Sequence, residues 1–350
     1  GVGKGHSIFL LEDQSLHAVG ANKVGQCSVR NYTDVLTNIK PCVVPDGVTV
    51  AQIACGEDFT MAVSTEGHLY SCGSSQYGQL GNGETGEYFV TANKLAYANC
   101  NILTRRTTFC HAPTEKLHTN NDNSKVVPLP NCDDILIQQV VCGKHHTLVV
   151  EAASQERPRI FTFGCGDYGC LGHGVQKDEY FPRLVGLVAK LPLGMEPDQR
   201  ALIATAGAHC SLFRNKAGHV YYWGKHRQVG EATMRPLLVD VLANNQHQVT
   251  QMAAGGQTVY CSTALAQTVA WGQGPHGELG LGKAKSSSKP TFVESLNGIG
   301  VLDVAAGYGH SLFVVGSSEK AGADKDMTKA IEELPACQEE DVQALVDRES

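Results

Sequence analysis

Residues 53–81 read IACGEDFTMAVSTEGHLYSCGSSQYGQLG. Gly56 opens an apolar run from Phe59 to Val63, and Thr65-Glu66-Gly67 carries the residue types of a tight turn. A second apolar run, Leu69 to Cys72, ends at Gly73. A glycine-rich loop then closes with Tyr77-Gly78 and Leu80-Gly81. The stretch reads as strand, turn, strand, loop.

The same pattern returns along the chain. The opening glycine recurs as Gly3, Gly56, Gly143, Gly207, Gly255 and Gly307, at intervals of 53, 87, 64, 48 and 52 residues. Three residues beyond it stand His6, Phe59, His146, Cys210, Thr258 and His310. Next come Ser7, Thr60, Thr147, Ser211, Val259 and Ser311. The closing glycine is Gly20, Gly73, Gly164, Gly224 or Gly272, 17 residues after the first in four copies and 21 in the third. Chance does not hold one offset so often. Two weaker strands, such as Pro182 to Val185 and Val301 to Ala305, fall between copies. Four strands at a period near 50 residues predict an all-β chain of four-stranded propeller blades, each covering its faces with its neighbours.

Composition agrees. Glycine makes up 38 of 350 residues, above the usual share of about 7%, as many tight turns require. Net charge is −7, which tells against a bulk electrostatic grip on nucleic acid. The 13 cysteines form no Cys-x-x-Cys pair and recur inside apolar runs, where a free thiol packs as a small hydrophobe. That usage predicts a reducing compartment, nucleus or cytoplasm. No apolar run is long enough to insert in a membrane.

In an up-and-down blade alternate connections fall on alternate faces. The loops Gly56-Glu57-Asp58 and Gly143-Lys144-His145 then share one face with the loops after the third strand, Gly73 to Gly78 and Gly164 to Gly169. Thr65-Glu66-Gly67 and Lys216-Ala217-Gly218 lie on the other.

The pattern CGEDFTMAV…GHLYSCGSSQYGQLG resembles the repeat of the regulator of chromosome condensation family. The stretches ILTRRTTF, KDEYFPRLV, EATMRPLLV and GELGLGKAKSSSKPT resemble that family's second paralogue, a mitotic telophase-disc protein. The resemblance covers residues 1–316. It implies a seven-bladed propeller, so six visible copies imply a first blade missing or incomplete. It also implies small GTPases as partners, alongside chromatin or microtubule-associated proteins in mitosis. The expected role is a regulator or scaffold that binds a small GTPase, as a monomer without cofactor, metal or small-molecule substrate. The alternative is a guanine nucleotide exchange factor for a Ran-, Rac- or Ral-type GTPase, the only activity the resemblance offers.

Two segments stand outside the repeat. A polar insertion is expected over about 101–130, accounting for the 87-residue interval, and a charged tail with short helices over 317–350. The fourth copy has a damaged loop, Lys225-His226-Arg227-Gln228-Val229-Gly230.

Other motifs dissolve into the repeat. Gly164-Cys165-Gly166-Asp167-Tyr168-Gly169 and Gly272 to Gly277 fit G-x-G-x-x-G. A dinucleotide site needs that loop between a strand and a helix, whereas here it leads to another strand. Gly1-Val2-Gly3-Lys4 lacks the Ser or Thr of a phosphate loop. His6, His146 and His310 share a slot with Phe59, Cys210 and Thr258, which predicts a core or hydrogen-bonding position. What remains are loop residues that the repeat does not dictate. Glu57, Asp58, Lys144, His145, Asp167 and Tyr168 are the expected partner-docking group, with Arg105 and Arg106 as a further basic pair. No catalytic residue is assigned.

Overall fold

The computed structural model describes residues 1–111, 128–152, 159–188, 203–215, 218–226, 230–244, 248–282 and 284–316. The tail expected over 317–350 and most of the expected insertion lie outside these residues.

Strands follow one another in antiparallel sheets. The first holds β1 (His6–Leu10), β2 (Leu16–Asn22) and β3 (Thr33–Pro41). The second orders β4 (Val50–Cys55), β5 (Phe59–Ser64), β6 (Leu69–Gly73) and β9 (Cys100–Arg106), with a separate hairpin of β7 (Glu87–Thr91) and β8 (Lys94–Tyr97) before its last strand. The third runs β10 (Ile137–Cys142), β11 (His146–Glu151), β12 (Ile160–Gly164), β13 (Glu179–Leu184). The fourth runs β14 (Ile203–Ala206), β15 (Cys210–Arg214), β16 (Val220–Gly224), β17 (Thr233–Leu238). The fifth runs β18 (Val249–Ala254), β19 (Thr258–Thr263), β20 (Thr268–Gly272), β21 (Ser287–Phe292). β22 (Val301–Ala306) and β23 (Ser311–Val315) form a sixth, two-stranded sheet.

The repeat holds in register. His6 faces Gly20, Phe59 faces Gly73, His146 faces Gly164, Cys210 faces Gly224 and Thr258 faces Gly272. The first strands β4, β10, β14, β18 and β22 adjoin in succession, so the sheets stack side by side around an axis as propeller blades. One difference from the sequence reading stands out. Residues 101–106, placed at the head of the polar insertion, are strand β9 of the second sheet. Part of the surplus length of that copy therefore precedes Cys100, in the β7–β8 hairpin.

The core is divided among the seams. Phe59, Met61, Val149, Phe161 and Phe163 pack between sheets two and three. Leu148, Val150, Phe213 and Trp223 fill the next seam. Leu212, Tyr222, Val249, Val259 and Trp271 fill the one after it. The second and third strands of these sheets are buried throughout, because a neighbouring sheet covers each face. The cysteines of the described residues are free thiols, and burial pushes Cys27 and Cys165 up to about 12.

The two glycines of the repeat answer two different demands. The closing glycines all have positive φ, from 95° at Gly224 to 125° at Gly272, a region that side chains disfavour. The opening glycines are absent from that region. They are needed for close approach: a Cβ on Gly143 would stand 2.5 Å from the carbonyl oxygen of Gly207, and one on Gly207 would stand 2.6 Å from that of Gly255.

Candidate functional site: the glycine-loop face

The residue after each opening glycine ties its sheet to the next. Lys4 N–H donates to Glu57 O (3.2 Å), Glu57 N–H to Lys144 O (2.9 Å) and Lys144 N–H to Ala208 O (3.3 Å). Ala208 N–H donates to Gly255 O and Gly256 N–H to Gly307 O, both at 3.0 Å. This belt of main-chain bonds runs around the axis and fixes the opening loops of consecutive sheets beside one another.

Their side chains then meet. In the first three copies the residue after the opening glycine is Lys4, Glu57 and Lys144, alternating in sign. Glu57, whose side chain is only 10% exposed, lies between the two lysines: Lys4 Nζ is 2.5 Å from Oε1 and Lys144 Nζ is 3.3 Å from Oε2. His145 Nε2 is 3.1 Å from Oε2. Oε2 thus faces both Lys144 and His145. Burial opposes ionisation of Glu57, but the Lys4 hydrogen bond, His145 and Lys144 outweigh it and keep the carboxyl below its ordinary range. Burial, with Glu57 next door, raises Asp58 instead. Burial also pushes His145 down to about 4 despite Glu57, leaving the imidazole neutral near pH 7.

Aromatic residues from the closing loops roof this row. Tyr77 precedes Gly78 in copy two, and its ring lies 4.7 Å from that of His145. Tyr168 precedes Gly169 in copy three, and its ring lies 5.0 Å from that of His209. Each tyrosine thus covers the histidine of the next sheet. Lys225 Nζ sits 5.1 Å above the Tyr168 ring, a cation–π contact. Tyr168 adopts φ 58° and stays 39% exposed; Lys144 and Asp167 are exposed beside it.

The structure therefore brings Glu57, Asp58, Lys144 and His145 together, with Asp167 and Tyr168 on the same face. It separates Arg105 and Arg106 from them. Those arginines pair with Tyr70 and Leu69, at the end of β6 remote from Gly73. Arg106 turns inward, its Nε donating to Ser71 Oγ at 2.6 Å, whereas Arg105 is exposed. The histidine slot is a hydrogen-bonding position at two seams: His6 Nε2 lies 3.0 Å from Thr60 Oγ1, and His146 Nε2 lies 3.0 Å from Ser211 Oγ. Sequence reading passed over Lys4, Tyr77, His209 and Lys225. The signal for Lys4 was the alternation Lys, Glu, Lys at one repeat position. Tyr77 and Tyr168 shared a place before the loop glycine.

Among the described residues no group of three or more His, Cys, Asp or Glu could hold a metal ion. No described helix is long and apolar enough to cross a membrane.

Comparison with known proteins follows the same lines. The profile described as "Regulator of chromosome condensation (RCC1) repeat" matches residues 66–94, 159–213 and 270–314, and a second profile of that description matches 50–79. The chain is 33% identical over 334 residues to Protein RCC2 of Homo sapiens, covering 95% of this chain and 59% of that protein. It is 24% identical over 343 residues to the secretion-regulating guanine nucleotide exchange factor of Bos taurus, covering 90% and 63%. The chain thus spans about six tenths of the curated relatives it matches. Among solved structures, human WBSCR16 aligns with TM-score 0.65 at 20% identity, covering 90% of this chain and 71% of that one. Prp20p of Saccharomyces cerevisiae, whose structure was described with its binding to Gsp1p and histones, aligns with TM-score 0.51 at 16% identity, covering 95% and 85%. At these identities both show the fold.

Proposed function

The chain belongs to the regulator of chromosome condensation repeat family, and from that premise we propose that its glycine-loop face binds a small GTPase, as a regulator or scaffold for mitotic or cytoskeletal partners. The observation that carries this reading is the row Lys4–Glu57–Lys144–His145, roofed by Tyr77 and flanked by Tyr168, Asp167 and Lys225. Three consecutive sheets supply it on one rim. The main-chain belt holds it in place before any partner arrives, which lowers the ordering cost of binding. An exposed aromatic, Tyr168, beside fixed charges of both signs has the ingredients of a protein-binding hot spot.

The second reading is nucleotide exchange, favoured by the likeness to the bovine guanine nucleotide exchange factor. It needs no covalent chemistry. Loops that compete for the GTPase's contacts to phosphate and magnesium would favour its nucleotide-free state.

Release of fluorescent GDP from purified Ran-, Rac- and Ral-type GTPases, with and without the chain, separates the two. Saturable binding without faster release supports the scaffold; faster release supports exchange. In either case Tyr168→Ala and Lys144→Glu, both at exposed positions, weaken the complex about tenfold or more. Absence of binding to every GTPase tried, or binding indifferent to both substitutions, overturns this use of the face.

A further inference from the structure

The seams between sheets follow one rule, and the outer face of sheet six breaks it. In sheets two to five the residues three, five and seven places after the opening glycine turn towards the next sheet. Met61 and Val63 of sheet two pack with Val149 of sheet three. Leu148 and Val150 pack with Phe213, Leu212 with Val259, and Tyr260 with Val304 and Phe313. In these four sheets every residue at the three places is buried.

In sheet six the same places hold His310, Leu312 and Val314. All three are exposed, Leu312 at 65% and Val314 at 56%, and among the described residues no sheet follows them. The opposite face of sheet six already packs on sheet five, where the rings of Phe313 and Tyr260 meet at 5.4 Å. The open face therefore has the composition of a seam and lacks its second half.

The chain that continues from β23 says what covers it. Gly316 is buried at the end of this sheet, so residues 317–350 set out from beside the open face. In other copies the next residues form a third strand that ends at a closing glycine. Here the place 17 residues after Gly307 is Asp324, and no apolar run like Leu69 to Cys72 precedes it. The tail instead repeats Met327, Ile331 and Leu334 at helical spacing, with Lys329, Glu332 and Glu333 falling on the other side of such a helix. From Met327 to Leu334 a helix rises about 10 Å. From His310 to Val314 a strand rises about 13 Å, so the stripe and the row match in length. The ten residues between Gly316 and Met327 reach up to about 33 Å, enough to lead a helix back over the sheet. A helix on an open sheet face is one of the stable layer pairings.

We propose that the tail closes this seam within the same chain, laying Met327, Ile331 and Leu334 as one side of a helix over Leu312 and Val314.

Limited trypsin digestion of the full chain, read by mass spectrometry, tests this. Lys329 lies inside the stripe, and cleavage after it needs the segment to come away from the sheet. The expected rate is at least about tenfold below that of a synthetic peptide of residues 317–350, and independent of protein concentration. Leu312→Asp, distant in sequence from the cut, brings the rate up to that of the peptide. So does Leu334→Asp in the tail itself, compared with a peptide carrying the same change. Leu265→Asp, at an equally exposed turn of sheet five, leaves the rate alone. Cleavage after Lys329 as fast as in the peptide overturns the proposal, as does protection that both Leu312→Asp and Leu334→Asp leave intact. Protection that appears only as concentration rises assigns the face to a second copy and overturns it too.

Discussion

Two neighbouring seams of the propeller are held by different chemistry. Between sheets three and four, Ser211 Oγ donates to the carbonyl of Cys170 at 2.9 Å and sits 3.0 Å from His146 Nε2. Trp223 Nε1 donates to the same carbonyl at 2.8 Å. Between sheets four and five, Val259 occupies the hydroxyl position and joins Leu212, Tyr222, Val249 and Trp271 in one apolar cluster. Tyr222 and Trp271 meet edge to face at 6.2 Å. The hydroxyl latch recurs at other seams, Thr60 Oγ1 to Gln26 O at 2.8 Å and Ser311 Oγ to Glu278 O at 3.2 Å. In each case the accepting carbonyl belongs to the closing loop of the preceding copy. Copy four lacks the usual Gly-x-Leu-Gly ending, and copy five has valine in place of the hydroxyl. Loop and latch change together, because a buried hydroxyl without an acceptor costs more than a methyl group. The fold prescribes that a seam be filled, not how.

What the two seams share should matter most. Each needs its opening glycine for main-chain approach, so Gly143→Ala and Gly207→Ala both drive a methyl group into a neighbouring carbonyl. Each is expected to lose about 3 kcal/mol in urea unfolding, whichever seam carries it. If one is tolerated, the two seams do not approach alike.

Exchanging the chemistries comes next. Ser211→Val leaves His146 without its partner in a buried seam and costs about 2 kcal/mol. Val259→Thr introduces a hydroxyl into this apolar cluster and costs about 1 kcal/mol. Both changes destabilise, although each makes one seam resemble the other. A stabilising Val259→Thr, read as a raised Tm, would show that the latch is preferred everywhere.

The smallest difference lies in pH dependence. Burial lowers His146 to about 3 from an ordinary 6.5, whereas the fifth sheet has Thr258 in that slot. Above pH 6.5 the imidazole is neutral in folded and unfolded chains alike. As pH falls below 6.5 the unfolded chain takes up a proton that the folded one refuses, so stability drops from pH 6.5 towards 3. Over the first unit below 6.5 the loss is about 1 kcal/mol, and the slope cannot exceed about 1.4 kcal/mol per pH unit for one group. Replacing His146 by Thr should remove that share of the slope in thermal melts at pH 5.5 and 7; an unchanged slope would assign it to other buried histidines, such as His6 and His173.

Most of the architecture was readable because the repeat writes the same two glycines and the same apolar runs into every copy. The seams explain why those glycines recur. The charged row on the glycine-loop face was half readable. Glu57, Lys144 and His145 stood out as residues the fold does not dictate, but Lys4 was set aside as a fragment of a phosphate loop. Its meaning lay across copies, in the alternation of sign. β9 was missed because Cys100–Arg106 is polar at both ends and reads as loop; what makes it a strand is Leu69 and Tyr70 offering an edge, a tertiary fact. Arg105 and Arg106 stand side by side in the sequence but lie on β9, where adjacent residues point to opposite faces.

The belt of main-chain hydrogen bonds at the opening loops is what places every seam and every side chain on the glycine-loop face. Hydrogen–deuterium exchange of the amides of Glu57, Lys144, Ala208 and Gly256 tests it directly. The account predicts protection comparable to that of β5 and β11, although all four amides lie outside the strands. Exchange at the rate of the exposed turn amide of Glu66 would contradict it.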